Sequence, residues 1–265
     1  MNENNNNKLS LQDRFSVAGR VALVTGAGSG LGAHFARVLG AGGARVACVA
    51  RRVERVEEVA AQIRAEGGMA MACAMDVTEP ESIRRALDLI DQEFDCVDVL
   101  VNNAGLSSPA PFQDMSREQW TSLLDANLSG PFYVAQQMAQ RLIAQGKPGS
   151  IINIASILGH LAKDCFINYG TTKGGLIHMT QYMALDLLPH SIRVNAIAPG
   201  YFPSEMTNPF YESDAGKREV ANLPPKRLGR HEELDGPLLL LASEASSYMT
   251  GSVITVDSGH SIRLS

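Results

Sequence analysis

VALVTGAGSGLG, residues 21–32, is the stretch that decides the fold. Its four leading apolar residues are too few for a helix and leave no polar face, so they read as a strand buried on both sides. The run stops at a glycine-rich turn, after which Leu31, Phe35, Val38 and Leu39 recur at helical spacing. In this strand–turn–helix unit Gly26, Gly30 and Gly32 let the backbone come close to a pyrophosphate. The helix start at Ser29, Gly30 and Leu31 offers free N–H groups and the positive end of a dipole. The spacing Gly26-x-x-x-Gly30-x-Gly32 differs from the common G-x-G-x-x-G. A glycine loop that serves only helix–strand packing therefore stays open as an alternative.

Working outward, the same unit repeats along the chain. RVACVA (45–50), MAMACAM (69–75), VDVLV (97–101), SIINIA (150–155), IRVNAIA (192–198) and VITV (253–256) are further apolar runs, and helical stretches separate nearly all of them. One such helix spans about 53–66 and ends at Gly67-Gly68. Another is expected to start with Thr78 as its cap and Pro80 in its first turn. Apolar strands alternating with helices imply a single-domain α/β fold, a doubly wound seven-stranded parallel sheet. The domain is expected over residues 17–265. Residues 1–16, which open with the polar MNENNNNK, are expected to form a flexible tail with no apolar signal segment. Residues 201–230, rich in Pro, Gly and mixed polar side chains, read as an irregular lid.

Composition excludes several classes of function. The formal net charge is −5, so nothing draws this chain to nucleic acid or to an anionic membrane. No run approaches the ~20 apolar residues of a membrane span. Cys48, Cys73, Cys96 and Cys165 form no C-x-x-C pair and no zinc spacing, and the histidines do not cluster, so no metal is expected. Reduced thiols point to the cytoplasm.

The chemistry lies in a second constellation. Tyr169-Gly-Thr-Thr-Lys173 puts a phenol and an ammonium one helical turn apart on one face. Ser156 follows the fifth strand, Asn102-Asn103-Ala104-Gly105 ends the fourth, Asn127 lies in the next helix, and Pro199-Gly200 ends the sixth. Each piece alone has a bland reading as a helix surface or a turn. Together, in this order, they make the chain resemble the short-chain dehydrogenase/reductase family, in its single-domain branch with a Rossmann-type fold similar to that of the 3-oxoacyl reductases. The resemblance runs from Val17 to Asp257-Ser-Gly259. Gly-Thr-Thr after Tyr169, Ser204 after Pro-Gly, and Asp257-Ser-Gly259 are departures that bear on substrate and not on mechanism.

The resemblance implies a mechanism. Tyr169 exchanges a proton with the substrate oxygen as general acid or base, Ser156 hydrogen-bonds that oxygen, and Asn127 holds a water leading to Lys173. Lys173 also meets the nicotinamide ribose. A charge at ~4 Å and an effective dielectric of ~20 would attract a phenolate by about 4 kcal/mol, enough to bring the Tyr169 pKa toward neutrality. The remaining cofactor contacts implied are Gly26, Ser29, Gly30, Leu31 and Gly32 at the phosphates, and Asp76 with Val77 at the adenine. Asn103, Ala104 and Gly105 would lie beside the adenosine ribose, and Pro199, Gly200, Phe202 and Ser204 near the carboxamide. For Asp76 a cap or turn role is the alternative.

The end of the second strand addresses cofactor choice directly. Ala50 stands where an NAD site usually has an acid, and Arg51-Arg52 follow, with no carboxylate before Glu54. A 2′-phosphate would meet Arg51 and Arg52 without repulsion, so NADP(H) is expected, with NAD(H) possible. Solvated arginines at a helix start are the bland reading.

For the substrate, Ser156, Tyr169, His160 and Tyr201 are the expected contacts. Leu158, Gly159, Leu161, Phe166, Phe202, Met206, Phe210 and Tyr211 are the expected walls, leaning toward an apolar or medium-sized ketone over a sugar. His160 reads as a wall or surface residue and not a second acid. The resemblance further implies a homo-oligomer, a tetramer, built on helices at about 122–144 and 167–188. The expected function is interconversion of a ketone and a secondary alcohol. An NAD-dependent alcohol dehydrogenase of the same family and a catalytically silent nucleotide-binding protein are the competing readings.

Overall fold

A computed structural model describes residues 10–205 and 207–263. Seven strands form one parallel sheet in the order β3-β2-β1-β4-β5-β6-β7. They are β1 (Val21–Thr25), β2 (Arg45–Ala50), β3 (Met69–Ala74), β4 (Val99–Asn102), β5 (Gly149–Ile154), β6 (Ile192–Pro199) and β7 (Val253–Val256). The sequence places all seven, with ends one or two residues adrift, as strand ends fray. β1, β4 and β5 are buried at every position, because helices cover both faces.

The helices are α1 (Leu11–Arg14), α2 (Gly30–Ala41), α3 (Val53–Ala65), α4 (Pro80–Phe94), α5 (Arg117–Leu124), α6 (Gly130–Gln145), α7 (Ile167–Leu187), α8 (Asn208–Glu212), α9 (Asp214–Asn222) and α10 (Asp235–Ala242). On one face of the sheet α2, α3 and α10 bury Phe35, Leu39, Ile63 and Leu238 against β1 and β2. On the other, α4 and α6 bury Leu87, Ile90, Met138 and Leu142. The strand order reverses between β1 and β4, and the crevice beyond their C-terminal tips is where open α/β sheets bind ligands.

Four local expectations are corrected. Glu79, not Thr78, is the N-cap residue of α4, and its side chain makes no cap, while the Thr78 N–H and hydroxyl both donate to Asp76 Oδ1, at 3.0 and 2.8 Å, so the hydroxyl faces backwards. The helix expected at 122–144 is two helices joined by a π-helical turn, Asp125–Ser129, and the wide turn carries Asn127. The segment expected to be an irregular lid carries two short helices: Ser213 caps α9 by accepting from the Gly216 N–H, and α8 precedes it. Within the expected tail, α1 is a single turn held by a reciprocal cap between Ser10 and Asp13; residues 1–9 lie outside the described residues.

Candidate active site

β1 and β4 end side by side, and their tips are laced together. Thr25 Oγ1 accepts the backbone N–H groups of Asn103 and Ala104, each at 3.0 Å. The Asn103 amide donates back to the carbonyls of Thr25, at 3.0 Å, and Gly26, at 3.3 Å. The glycine turn fits this closeness and nothing larger. A Cβ on Gly26, whose φ is +65°, would lie 2.9 Å from Ala104 Cα, and one on Gly32 would lie 2.2 Å from the Gly26 carbonyl oxygen. The Ser29 side chain caps nothing, so the first turn of α2 presents unpaired N–H groups to the crevice. That cradle fits a nucleotide pyrophosphate. Ser204 stands across from it, 3.6 Å from where a Gly30 Cβ would be, with its hydroxyl engaged by Thr207 at 2.9 Å.

Arg51 and Arg52 are exposed at the tip of β2, and Arg52 is the α3 N-cap residue. Arg55, which the sequence reading passed over, lies against the turn: its Cβ is 3.0 Å from a Cβ built on Gly28, and its guanidinium faces Glu205 at 3.8 Å. Asp76 is half-buried and holds the turn before α4, while Val77 packs on Gly130. Pro199 closes β6. Gly200 sits where a Cβ would strike Asp257 at 2.8 Å. The Phe202 ring packs on Gly229.

The four residues singled out for chemistry converge beyond β4 and β5. Ser156 is buried directly after β5 and accepts from the Leu158 N–H at 3.1 Å. α7 then crosses the Ser156 loop at contact distance, since a Cβ on Gly159 would lie 2.9 Å from the Lys173 carbonyl. This approach brings Tyr169 to Ser156 and buries Lys173, whose Nζ donates to the Ile154 carbonyl at 2.7 Å and lies 5.6 Å from the Tyr169 ring centre. Asn127 is fully buried. Its Oδ1 accepts from the Leu106 N–H at 2.7 Å, and its Nδ2 donates to the Leu106 carbonyl at 2.9 Å and to Thr172 Oγ1 at 3.3 Å. The Asn127 amide thus fixes the chain after Gly105.

Electrostatics here differ from the expectation of a phenol drawn toward neutrality. Burial pushes the Tyr169 pKa above its ordinary value, and the hydrogen bond with Ser156 recovers only part of that. Burial also pushes Lys173 down, to about 8. The sequence estimate treated both groups as charged and close; desolvation of both outweighs their attraction.

On the substrate side, His160 is exposed and outside the cluster. Phe166 stacks edge-on to Tyr169 with ring centres 6.5 Å apart, and Tyr201 lies near Tyr211 and His260. Met206 lies outside the described residues. Between these rings sits an ion pair absent from the sequence reading, Lys163 Nζ to Glu219 Oε1 at 2.5 Å. A separate cavity beside Tyr201, lined by Phe202, Leu223, Arg227 and Asp257, contains none of the four catalytic candidates. Among the described residues no group of three or more His, Cys, Asp or Glu could hold a metal ion, and no helix is long and apolar enough to cross a membrane.

Residues 20–215 match the family model of the short chain dehydrogenases. Gluconate 5-dehydrogenase of Gluconobacter oxydans is 35% identical over 97% of this chain and 100% of its own. A 3-oxoacyl-[acyl-carrier-protein] reductase of Aquifex aeolicus is 38% identical over 92% of this chain and 98% of its own. A gluconate 5-dehydrogenase from Burkholderia cenocepacia, solved in complex with NADP and tartrate, superposes with a TM-score of 0.92 at 36% identity, covering 96% of this chain and 100% of that one. The chain belongs to the short-chain dehydrogenase family.

The depressed Lys173 pKa makes stability depend on pH. Between about pH 8 and 10.5 the unfolded chain keeps the Lys173 proton while the folded chain has shed it, so unfolding free energy rises with pH. Below that window both states are protonated and the burial cost is carried in full. Lys173→Met removes this titration. The wild-type stability minus that of Lys173→Met should rise by roughly 2–3 kcal/mol from about pH 7.5 to about pH 10 in urea unfolding. A flat difference would mean a solvated lysine.

Proposed function

We propose that this protein interconverts a ketone and a secondary alcohol with NADP(H), using Tyr169 as general acid and base. The observation that carries the reading is the convergence of Ser156, Tyr169 and buried Lys173 beside a glycine cradle at the reversal of strand order. The cradle formed by Gly26, Ser29, Gly30, Leu31 and Gly32 would hold the pyrophosphate. Asp76, Val77 and Asn103 to Gly105 would flank the adenosine, and Pro199, Gly200, Phe202 and Ser204 the nicotinamide end. When bound, the cofactor supplies or removes hydride at the carbonyl carbon.

The chain's own residues handle the proton. Ser156 Oγ donates to the substrate oxygen and stabilises the charge that develops there. The Tyr169 hydroxyl gives that oxygen its proton in reduction and takes it in oxidation. A Tyr169 phenolate beside a Lys173 ammonium is a net-neutral pair, so burial that opposes each charge alone opposes the pair far less. Lys173, with a pKa of about 8, is placed to return a proton to the phenolate. Asn127 keeps the Leu106 segment in position beside it. Residues 201–230 cover the substrate side.

The free thiols support a reducing, cytoplasmic compartment, and the net charge supports a small-molecule partner and not nucleic acid. Self-association is supported by α6, which exposes Phe132 and Ile143, and by α7, which exposes Tyr182 and Leu185. A closed symmetric tetramer would cover them.

Tyr169→Phe should keep NADPH binding, because the ring remains, and lose at least ~10²-fold in turnover; turnover within a few fold of wild type in a ketone-dependent NADPH assay overturns the assignment. Arg51→Ala should weaken NADPH by roughly one to two orders of magnitude with NADH little changed, at ~1.5–3 kcal/mol for a hydrogen bond to a charged group. Ala50→Asp should invert the preference, and a wild-type preference for NADH in fluorescence titration refutes the 2′-phosphate role. Light scattering should give a multiple of 28.4 kDa at micromolar concentration, and a monomer mass refutes the assembly.

A further inference from the structure

Beside the ring that meets Tyr169 edge-on lie charges that an apolar ketone would not use. Lys163, between β5 and α7, pairs with Glu219 of α9, and both side chains remain about a quarter to a third exposed. Three aromatic rings surround the ammonium: Tyr201 at 5.2 Å, Phe166 at 5.3 Å and Phe210 at 6.0 Å to the ring centres. Phe166 is the ring that stacks on Tyr169, so the pair stands one ring away from the reacting phenol. Tyr211, beside Tyr201, completes the group. Burial first, and then the Glu219 carboxylate, push its phenol upward.

An ion pair in this position selects by desolvation. An acyl chain laid over Lys163 and Glu219 would strip water from both and return no hydrogen bond. A hydroxylated chain replaces that water. An ammonium has three donors and a carboxylate about four acceptor sites, and their mutual contact uses few of them. One hydroxyl can accept from Lys163 while its neighbour donates to Glu219. The tyrosine hydroxyls add partners, and the ring faces take the C–H edges of the carbon chain. The pair is neutral overall, so it asks for hydroxyls and not for a second charge.

Resting on the hydride-transfer reading above, we infer that Lys163, Glu219, Tyr201 and Tyr211 form a subsite for vicinal hydroxyls, and that the substrate is a small polyhydroxylated ketone or the matching polyol. The leaning toward an apolar ketone, read from the apolar and aromatic side chains of 158–166 and 201–211, gives way to this. A neutral polyol and a sugar acid share the same hydroxyls.

The test uses the full-length protein with NADP(H) and three kinds of substrate: neutral five- and six-carbon polyols with their ketoses, gluconate with its 5-keto form, and an unsubstituted cyclic ketone or 3-oxoacyl thioester. Wild type should give its highest kcat/KM within the hydroxylated sets. Lys163→Met and Glu219→Leu should lower the ratio of hydroxylated to unsubstituted kcat/KM at least tenfold, chiefly through KM, and Lys163→Arg should restore part of it. Calorimetric titration of sorbitol and gluconate into the NADP-loaded protein should show the same loss. Equal losses on all substrates would make the pair a structural clasp for α9, and a wild-type preference for the thioester or the plain ketone would equally overturn the subsite. If no ketone is turned over, the hydride-transfer reading fails by itself, and the calorimetric comparison still decides the subsite.

Discussion

Everything at the site depends on how tightly the tips of β1 and β4 are held. A parallel sheet covered on both faces has no room for chemistry along its strands, only at their C-terminal ends. At the reversal point the connections from β1 and β4 leave toward opposite faces, which opens a crevice. The Thr25 hydroxyl and the Asn103 amide lace its floor with four hydrogen bonds between residues more than seventy positions apart. Because the tips touch, Gly26 and Gly32 can be nothing larger, and the first-turn amides of α2, which Ser29 leaves uncapped, face the crevice. The lacing therefore sets the floor of the crevice.

Burial governs the second half of the site. The contact between the Gly159 loop and α7 places Tyr169 and Lys173 out of water, where each resists becoming charged. The resting arrangement is a neutral phenol near a lysine whose proton is loosely held and is hydrogen-bonded to the Ile154 carbonyl. With its pKa near 8, the Lys173 ammonium persists at neutral pH beside an un-ionised phenol. This differs from a phenol permanently ionised by its neighbour.

The sheet was legible in the sequence because its signal is local. Apolar runs bounded by glycine, proline or asparagine mark strands without knowledge of their neighbours. Gly26, Asn103, Ser156, Tyr169 and Lys173 were legible because their spacing in chain order is itself the pattern. What stayed hidden are pairings across sequence. Lys163 and Glu219 lie 56 residues apart, and neither sits in a motif. Arg55 reads as one more charge on an exposed helix until Gly28 is seen beneath it. The same blindness produced the wrong cap for α4, since nothing local says that the Thr78 hydroxyl turns back to Asp76. It also produced the overstated pull of Lys173 on Tyr169, because spacing on a helix gives proximity and says nothing about desolvation.

The four cysteines differ sharply in surroundings. Cys48, Cys73 and Cys96 are buried, and burial raises each thiol, Cys48 to about 12. Cys165 is exposed on a left-handed turn directly before Phe166, with its carbonyl tied to the Ala110 N–H. Thiolate, not thiol, reacts with electrophiles, so the folded chain offers one exposed cysteine and the unfolded chain four. Labelling stoichiometry becomes a gauge of native structure, and an alkyl tag on that one sulfur gives chemistry a covalent foothold at the rim of the pocket.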